Sequence, residues 1–488
     1  MSQVTTLPVR EVEWPSPNDA PLDGALPGGG PAATPWFLLL VPGLLLLGYG
    51  LVGLNGTVAG VGILVQTVYL AYLVRHLAIT AVASRYAAAD VLAPVVDTGF
   101  RPSVTAIVAC KNEESVAREL MVSLGGLLYP EWLLQVIVVD DGSTDATGMI
   151  LDALADSRTT VLHRAPGSAG GKSAALNAAL AVATGEIVIV FDADHRPRPD
   201  VVRRLVRHFE SPGVAAVQGR CVIRNPADSL IASLVNIDYM AGYLVNEYGR
   251  QGMAGMPAYG GANCAVRAET LRDIGGWNVN SVTEDTDLTL RLVLMGRRVR
   301  YDVTAVDEEE AVTTFSRFWA QRYRWARGHQ QVWRDYRCAV WRSPHLSLGE
   351  KVETTMFLLA FHLPVLSAAG IAVLGFWLAG VLPPVNPADM YVLATLMFLA
   401  PMVELGTGML LGGLERRQAV LIAAYLPVFV ASAALCATAW VDGLLGRPYS
   451  WAKTKRRLDA ETISPGRPVA AVHWRQQDLA GHTKGAVS

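Results

Sequence analysis

Long uncharged apolar runs near both ends of the chain constrain its fold more than any other feature. Residues 36–54 and 61–74 form two such runs, and the second reaches about 20 residues if it begins near Gly56. A helix needs about 20 apolar residues to cross a bilayer. Neither run has the polar face expected of a buried hairpin in a soluble protein. Residues 35–76 are therefore predicted to form two transmembrane helices.

Basic residues give these helices an orientation. The link at Asn55 and Gly56 contains no Lys or Arg, whereas Arg75, His76 and Arg85 follow the second run. Positively charged loops stay on the cytoplasmic side of a membrane. We therefore expect an integral membrane protein in which the region after residue 76 is cytoplasmic.

Three further apolar runs, at residues 354–381, 390–414 and 419–441, predict a second membrane region over residues 353–442. The first two are predicted to span. The third has basic residues at both ends, and a single crossing cannot keep both clusters in the cytoplasm. Because Pro427 lies within it, we expect a re-entrant or interfacial hairpin, which gives two to three spans in total.

The remaining composition excludes several classes of protein. Residues 1–34 are rich in Pro, Gly and Ala and lack the basic start of a signal peptide, so a disordered tail is expected. A formal net charge of −2 gives no general reason to expect a nucleic-acid partner. Five cysteines show neither paired nor metal-type spacing, which argues against a disulfide framework and against a zinc site.

Between the apolar runs, residues 100–312 alternate short β-branched segments with helical ones. Strands are predicted at 104–109, 135–139, 159–162, 186–191 and 214–218, and helices at 114–127, 145–157, 173–183 and 200–209. This alternation predicts an α/β domain with a mostly parallel sheet. In such sheets the ligand site lies at the carboxyl ends of the strands.

Two acidic residues end the most apolar of these strands. Asp192 and Asp194 are two residues apart and point to the same side. A divalent cation held through oxygen atoms would offset their repulsion, and such a cation usually also holds phosphates. The alternative is an Asp-rich turn that caps the next helix.

Three other stretches carry polar groups to strand or helix ends. Asp140 and Asp141 precede Gly142, where they can contact a nucleoside or cap a helix. Lys172 follows two glycines at the start of a helix, which favours an anion site but does not match a P-loop. Glu284 and Asp285 open another helix. They are either first-turn acids or include a catalytic base that deprotonates a sugar hydroxyl.

Residues 313–350 are predicted to form amphipathic helices at the membrane interface, because Arg and Trp interleave at helical spacing. A solvated basic helix is the alternative. Within this segment Arg322 and Arg324 can offset charge that develops on a diphosphate, and Trp325 offers a flat face to a sugar ring. These side chains can instead simply extend toward the membrane interface.

Taken in order, these stretches resemble family-2 glycosyltransferases, in particular the membrane-embedded processive β-glycan synthases such as poly-N-acetylglucosamine, cellulose and hyaluronan synthases. The resemblance rests on Asp-Asp-Gly-Ser, Asp-Ala-Asp, Thr-Glu-Asp and Gln-x-x-Arg-Trp, flanked by membrane helices. It implies an α/β fold: a cytoplasmic GT-A (Rossmann-like) glycosyltransferase domain inserted between transmembrane helices. It also implies a location in the plasma (inner) membrane.

The resemblance implies a role for each matching residue. Asp285 would be the general base, and Asp192 and Asp194 would hold Mg²⁺ or Mn²⁺. The nucleotide-sugar contacts would be Asp140, Asp141, Lys172, Asp192, Gln321, Arg322 and Arg324. The acceptor contacts would be Cys264, Glu284 and Trp325. Within residues 443–488, a gating loop with Trp451, Thr454 and Lys455 would precede a disordered tail.

The activity implied is inverting, processive polymerisation of N-acetylglucosamine or glucose from a UDP-sugar into an exported β-linked polysaccharide. The partners would be the UDP-sugar, the growing polysaccharide, the lipid bilayer and export or accessory subunits, with no nucleic acid. Two alternatives stay open. One is transfer of a single sugar to a lipid acceptor, and the other is a transport or scaffold protein with a decayed transferase domain.

Overall fold

The computed structural model describes residues 60–85, 87, 90, 98–254, 256–380, 387–414 and 416–447. The expected N-terminal tail and first transmembrane helix lie outside these residues. So does the expected gating loop with Trp451, Thr454 and Lys455, together with the C-terminal tail.

An eight-stranded sheet forms the centre of the protein. Its strands are β1 (Val104–Cys110), β2 (Leu134–Asp140), β3 (Thr159–His163), β4 (Ile187–Asp192), β5 (Arg196–Pro197), β6 (Val214–Ile223), β7 (Cys264–Arg267) and β8 (Arg298–Glu309). They lie in the order β3-β2-β1-β4-β7-β6-β8-β5. The five predicted strands are all present, and β6 is longer than predicted.

The sheet is mixed rather than mostly parallel. Strands β3, β2, β1 and β4 are parallel to one another, as the alternating pattern predicts. β7 runs antiparallel to both of its neighbours, β4 and β6, and β5 runs antiparallel to β8. β6 and β8 are parallel again. The reversal at β7 was missed because this four-residue strand is too short to show a period.

Helices cover both faces of the sheet and continue into an apolar bundle. In chain order they are α1 (Gly60–Arg85), α2 (Glu114–Gly125), α3 (Thr147–Leu154), α4 (Gly171–Val182), α5 (Val201–Val206), α6 (Leu230–Met240), α7 (Tyr248–Ala254), α8 (Ala268–Asp273), α9 (Glu284–Leu294), α10 (Phe315–Arg342), α11 (Leu348–Leu359), α12 (Leu363–Leu378), α13 (Pro387–Leu411) and α14 (Val420–Leu444). A π-helical segment, Ala241–Glu247, joins α6 to α7.

Strict alternation along the strands divides the core into two layers. In β1, Ile107 packs in the layer that contains α4 and α9, whereas Val108 packs in the layer that contains α2 and α5. In β4, Val190 and Phe191 divide in the same way. This is the two-sided burial expected of a central strand covered by helices on both faces.

Among the described residues, α1 and α14 are each long and apolar enough to cross a membrane. A third crossing is possible if α11 and Leu363–Ile371 form one span, although they bend by 49° at the break between them. The run in which a hairpin was expected is one continuous helix of 25 residues, α14. Pro427 is accommodated near its start, as apolar helices often allow when neighbouring helices pack around them.

Buried ion pairs connect α1 to the rest of the molecule. Arg75 donates from Nε to Glu353 Oε2 over 2.8 Å, and Arg250 donates from Nε to Glu353 Oε1 over 2.9 Å. One carboxylate therefore holds two guanidinium groups, from α1 and α7, against α11. Charges this deeply buried are tolerated only when paired, so this contact fixes the relative placement of the three helices.

Candidate active site

The polar residues at the strand ends lie along one edge of the sheet. In the register of the parallel strands, Ala109 is opposite Asp192 and Cys110 is opposite Asp140. The loops after β1, β2 and β4 therefore open on the same side, as predicted from the sequence.

Lys172 joins the acidic residues of two distant segments. Its Nζ lies 2.7 Å from Asp192 Oδ1 and 3.4 Å from Glu284 Oε1, and it donates to the carbonyl of Gly261 over 3.1 Å. Burial disfavours the ammonium, but the charges of Asp192 and Glu284 outweigh burial and raise the pKa of Lys172. The Lys172 ammonium thus joins three elements: the start of α4, the end of β4 and the start of α9.

Asp285 lies beside this ion pair and has the properties of a base. Its Oδ1 accepts a hydrogen bond from the backbone N–H of Thr286 over 2.6 Å. Burial and the charge of Glu284 raise the pKa of Asp285 to about 6, against the opposing effects of that hydrogen bond, Lys172 and Arg324. A carboxylate with a pKa near neutrality can both accept and return a proton at physiological pH.

A glycine leaves room for this carboxylate. Gly261 has φ +78°, and a Cβ atom there would lie 3.0 Å from Asp285 Oδ2. A larger residue would therefore crowd the Asp285 carboxylate and strain the backbone.

Asp192 and Asp194 form the candidate metal site. Both are half-buried, and their ligand atoms lie within 4.8 Å of one another and of His195. Hard carboxylate oxygens suit Mg²⁺ and Mn²⁺, so the two aspartates fit the ion that the resemblance implies.

His195 does not have a nitrogen available for that metal. Its Nδ1 lies 2.6 Å from Asp307 Oδ2, and its Nε2 lies 3.1 Å from Glu309 Oε2. Burial disfavours the charged ring, but these two carboxylates outweigh burial and hold the pKa of His195 well above its usual range. A protonated imidazole donates from both nitrogens and cannot ligate a metal. His195 therefore connects the turn that contains Asp192 and Asp194 to β8, through its ion pairs with Asp307 and Glu309.

The two aspartates that end β2 have different surroundings. Asp141 is buried and pairs with Arg164 and, over 3.5 Å, with Lys111; burial raises the pKa of Asp141. Arg164 also donates to the carbonyl of Ala169 over 2.8 Å, which ties Asp141 to the loop before α4.

Asp140 instead holds the turn after β2. It accepts from the N–H of Ser143 over 3.0 Å and lies 3.1 Å from His163 Nδ1. Of the two interpretations offered by the sequence, the turn-capping role fits Asp140. Asp141 has one carboxylate oxygen on Arg164 and the other on Lys111.

The arginines of the Gln-x-x-Arg-Trp stretch separate on α10. The positive charge of Arg324 lowers the pKa of Asp285. Arg322 forms an ion pair with Asp238 on α6, and its guanidinium carbon lies 4.2 Å from the centre of the Trp325 ring. The buried Oε1 of Gln321 has no hydrogen-bond partner in the described part of the chain.

Cys264 lies beneath the site rather than within it. It is fully buried in β7, and burial raises the pKa of its thiol. In the sheet it lies opposite Val190, two residues before Asp192.

Several residues of the site were missed in the sequence. They are Arg164, His195, Asp307 and Glu309. His195 directly follows Asp194, and this adjacency is the one signal that would have indicated it. The others reach the site from loops and strands whose positions depend on the folded sheet.

Comparison with known proteins assigns the chain to a family. Residues 187–431, half of the chain, match the family model described as Glycosyl transferase family group 2. The chain is 37% identical over 278 residues to beta-monoglucosyldiacylglycerol synthase of Synechocystis sp., covering 57% of this chain and 58% of that protein. It is 26% identical over 247 residues to poly-beta-1,6-N-acetyl-D-glucosamine synthase of Staphylococcus aureus, covering 50% and 58%. The chain thus spans less than two thirds of the length of either relative.

The fold also matches a solved structure. The mannosyltransferase PcManGT from Pyrobaculum calidifontis, solved with GDP-Man and Mn²⁺, superposes with a TM-score of 0.51 at 23% identity. The match covers 79% of this chain and 100% of that one. At this identity the similarity concerns the fold alone, which is the GT-A type of α/β fold with a mixed sheet.

Proposed function

Because this chain belongs to glycosyl transferase family group 2, we propose that it is a metal-dependent hexosyltransferase of the membrane that uses a UDP-sugar and inverts the anomeric centre. The observation that carries the proposal is the contact of Lys172 with both Asp192 and Glu284. That contact supports the proposal because it joins Asp192, a candidate metal carboxylate, to Glu284, the neighbour of the candidate base Asp285.

The chemistry follows from these groups. Asp285 accepts the proton of an acceptor hydroxyl as that oxygen attacks the anomeric carbon and the bond to UDP breaks. Lys172 and Arg324 supply positive charge where the diphosphate becomes more negative. When bound by Asp192 and Asp194, Mg²⁺ or Mn²⁺ adds positive charge to the same group. Asp141 and its partner Arg164 lie at the neighbouring strand end, where the nucleoside would bind.

For the acceptor we favour a membrane lipid of the diacylglycerol type. The relative at 37% identity is named as a monoglucosyldiacylglycerol synthase, and α1 and α14 give the chain helices able to reach a bilayer. The sequence-based expectation put polysaccharide synthesis first, and the order changes because this relative is more similar than the polymer synthase. The catalytic domain would lie on the cytoplasmic side of the plasma (inner) membrane.

Processive synthesis is the second candidate. It is favoured by the similarity to the poly-beta-1,6-N-acetyl-D-glucosamine synthase of Staphylococcus aureus. In this alternative the same pocket would extend a chain rather than release one glycolipid.

The test is UDP release by the purified protein in nanodiscs with and without diacylglycerol, using several UDP-sugars with Mg²⁺ or Mn²⁺. Thin-layer chromatography then separates a glycolipid from a polymer. A single sugar on lipid supports the favoured proposal, and high-molecular-weight product with one donor supports the second candidate. Absence of UDP release with every donor would overturn both.

The variant Asp285→Asn tests whether Asp285 is the catalytic base. It should keep UDP binding, measured by calorimetry, and abolish turnover. Loss of UDP binding would instead make Asp285 a structural residue of the α9 N-terminus.

A further inference from the structure

Arg322 and Arg324 face different sides of α10. Residues two apart on a helix are separated by about 200° around its axis and cannot face the same ligand. The guanidinium of Arg322 contacts Asp238 and the Trp325 ring, although the sequence placed both arginines on the diphosphate.

Arg322 belongs to a contact between three helices. Its guanidinium pairs with Asp238 of α6, and Asp238 Oδ1 accepts a hydrogen bond from the Tyr425 hydroxyl of α14 over 3.0 Å. Burial disfavours the charge of Arg322, but Asp238 outweighs burial, so the pKa of Arg322 is raised and the group stays charged. The cation is thus held by Asp238 of α6, and Asp238 is in turn held by Tyr425 of α14.

The same guanidinium lies against two aromatic rings of its own helix. Its carbon is 4.2 Å from the centre of the Trp325 ring and 5.3 Å from the centre of the Phe318 ring. Trp325 is three residues after Arg322 and Phe318 is four residues before it, so all three side chains share one face of α10. A planar cation over an indole restricts the orientation of that ring.

We infer that Arg322 is a positioning residue for Trp325 rather than a ligand of the UDP diphosphate. Asp238 and Tyr425 fix the guanidinium, and the guanidinium fixes the plane of the indole against which the acceptor lies. This inference rests on the proposed function, because it needs an acceptor that uses Trp325. Asp238 and Tyr425 would then affect acceptor binding indirectly, through Arg322.

The decisive variant is Arg322→Lys, which keeps a positive charge for Asp238 but removes the flat group over Trp325. A lysine can still place its ammonium near the ring, so only the planar stacking is lost, and the change in binding is expected to be roughly fivefold. We expect the KM for diacylglycerol, varied as its mole fraction in nanodiscs, to rise by about that factor. The KM for the UDP-sugar and the rate of UDP-sugar hydrolysis without acceptor should stay unchanged.

Three further variants make the result specific. Arg334→Lys is the matched control, because Arg334 is on the same helix and its side chain is 61% exposed. Tyr425→Phe removes one hydroxyl and should raise the acceptor KM in the same direction by a smaller factor. When Trp325 is already replaced by Ala, Arg322→Lys should raise the KM for diacylglycerol little further, because Arg322 acts on the acceptor only through the Trp325 ring.

The outcomes separate the inference from the function it rests on. A higher KM for the UDP-sugar in Arg322→Lys would place Arg322 on the diphosphate and overturn the inference alone. So would additive effects of Arg322→Lys and Trp325→Ala. If Arg322→Lys fails to fold, Tyr425→Phe decides by the same comparison of the two KM values. A wild-type protein that transfers no sugar overturns both the inference and the proposed function.

Discussion

Replacing Asp285 with Asn should make the folded protein more stable while it abolishes turnover. The pKa of Asp285 is raised from 3.8 to about 6, so the fold favours the protonated form. A tenfold change in proton affinity corresponds to about 1.4 kcal/mol, so ionising Asp285 costs the folded protein about 3 kcal/mol. The side chain is only half-buried, and solvent screening reduces the expected gain for Asn to about 1–2 kcal/mol.

The pH window of this effect follows from its sign. A carboxyl whose pKa is raised on folding stabilises the folded state at low pH and loses that contribution as the pH rises from 3.8 through 6. The advantage of Asn should therefore be complete above about pH 6 and shrink toward zero near pH 3.8. Asn also keeps an oxygen that can accept from the Thr286 N–H, so the substitution removes the charge but not the hydrogen bond.

The assay is thermal unfolding of wild type and Asp285→Asn in the same detergent at pH 4.5 and pH 7.5. Asp273→Asn serves as a control, because it removes an aspartate charge from the end of α8 without touching the site. We expect the difference in Tm to be larger at pH 7.5 than at pH 4.5. A variant that is less stable than wild type at pH 7.5, or a difference independent of pH, would refute the reasoning.

Three other predictions follow from the same site. In Glu284→Gln, the acidic limb of the pH–rate profile, expected near pH 6 for wild type, should move to lower pH, because a charge that raises the pKa of Asp285 is gone; an unmoved limb would contradict this. Asp194→Asn should raise the Mn²⁺ concentration needed for half-maximal UDP release, and an unchanged metal dependence would remove Asp194 from the metal site. His195→Gln leaves the buried carboxylate of Asp307 without its charged partner and should destabilise the protein by about 3–5 kcal/mol in denaturant unfolding. Stability close to that of the wild type would contradict a structural role for this ion pair.

Four of the five predicted strands, β1, β2, β4 and β6, face apolar layers on both sides, whereas β3 lies at the edge of the sheet and is partly exposed. β1, β2 and β4 are rich in Val and Ile, and their predicted ends agree with the structure to within one or two residues. β8 is 12 residues long but was missed, because charged residues interrupt its apolar positions. The sequence of β8 can be recognised as a strand only when its neighbours in the sheet, β6 and β5, are known.

The residues of the candidate site also divide into those that a local sequence pattern indicates and those that only the folded structure brings in. Glycines before a helix indicated Lys172, and an abrupt strand end indicated Asp192, because both signals are local. The partner of His195 is 112 residues away in the chain, so no local pattern could identify it. Helical spacing already requires Arg322 and Arg324 to diverge, but which one faces Asp285 depends on how α10 packs against α6 and α14.

The ion pair between Lys172 and Asp192 has a consequence for the order in which ligands arrive. A bare divalent cation that approaches Asp192 meets an ammonium 2.7 Å from one of its oxygens and is repelled. A cation that already carries a nucleotide brings phosphate oxygens that attract the same ammonium. We therefore expect the metal and the nucleotide sugar to enter as one complex, so that metal affinity measured without nucleotide is weak. The acceptor would then bind to a site whose charges have already been rearranged by the donor.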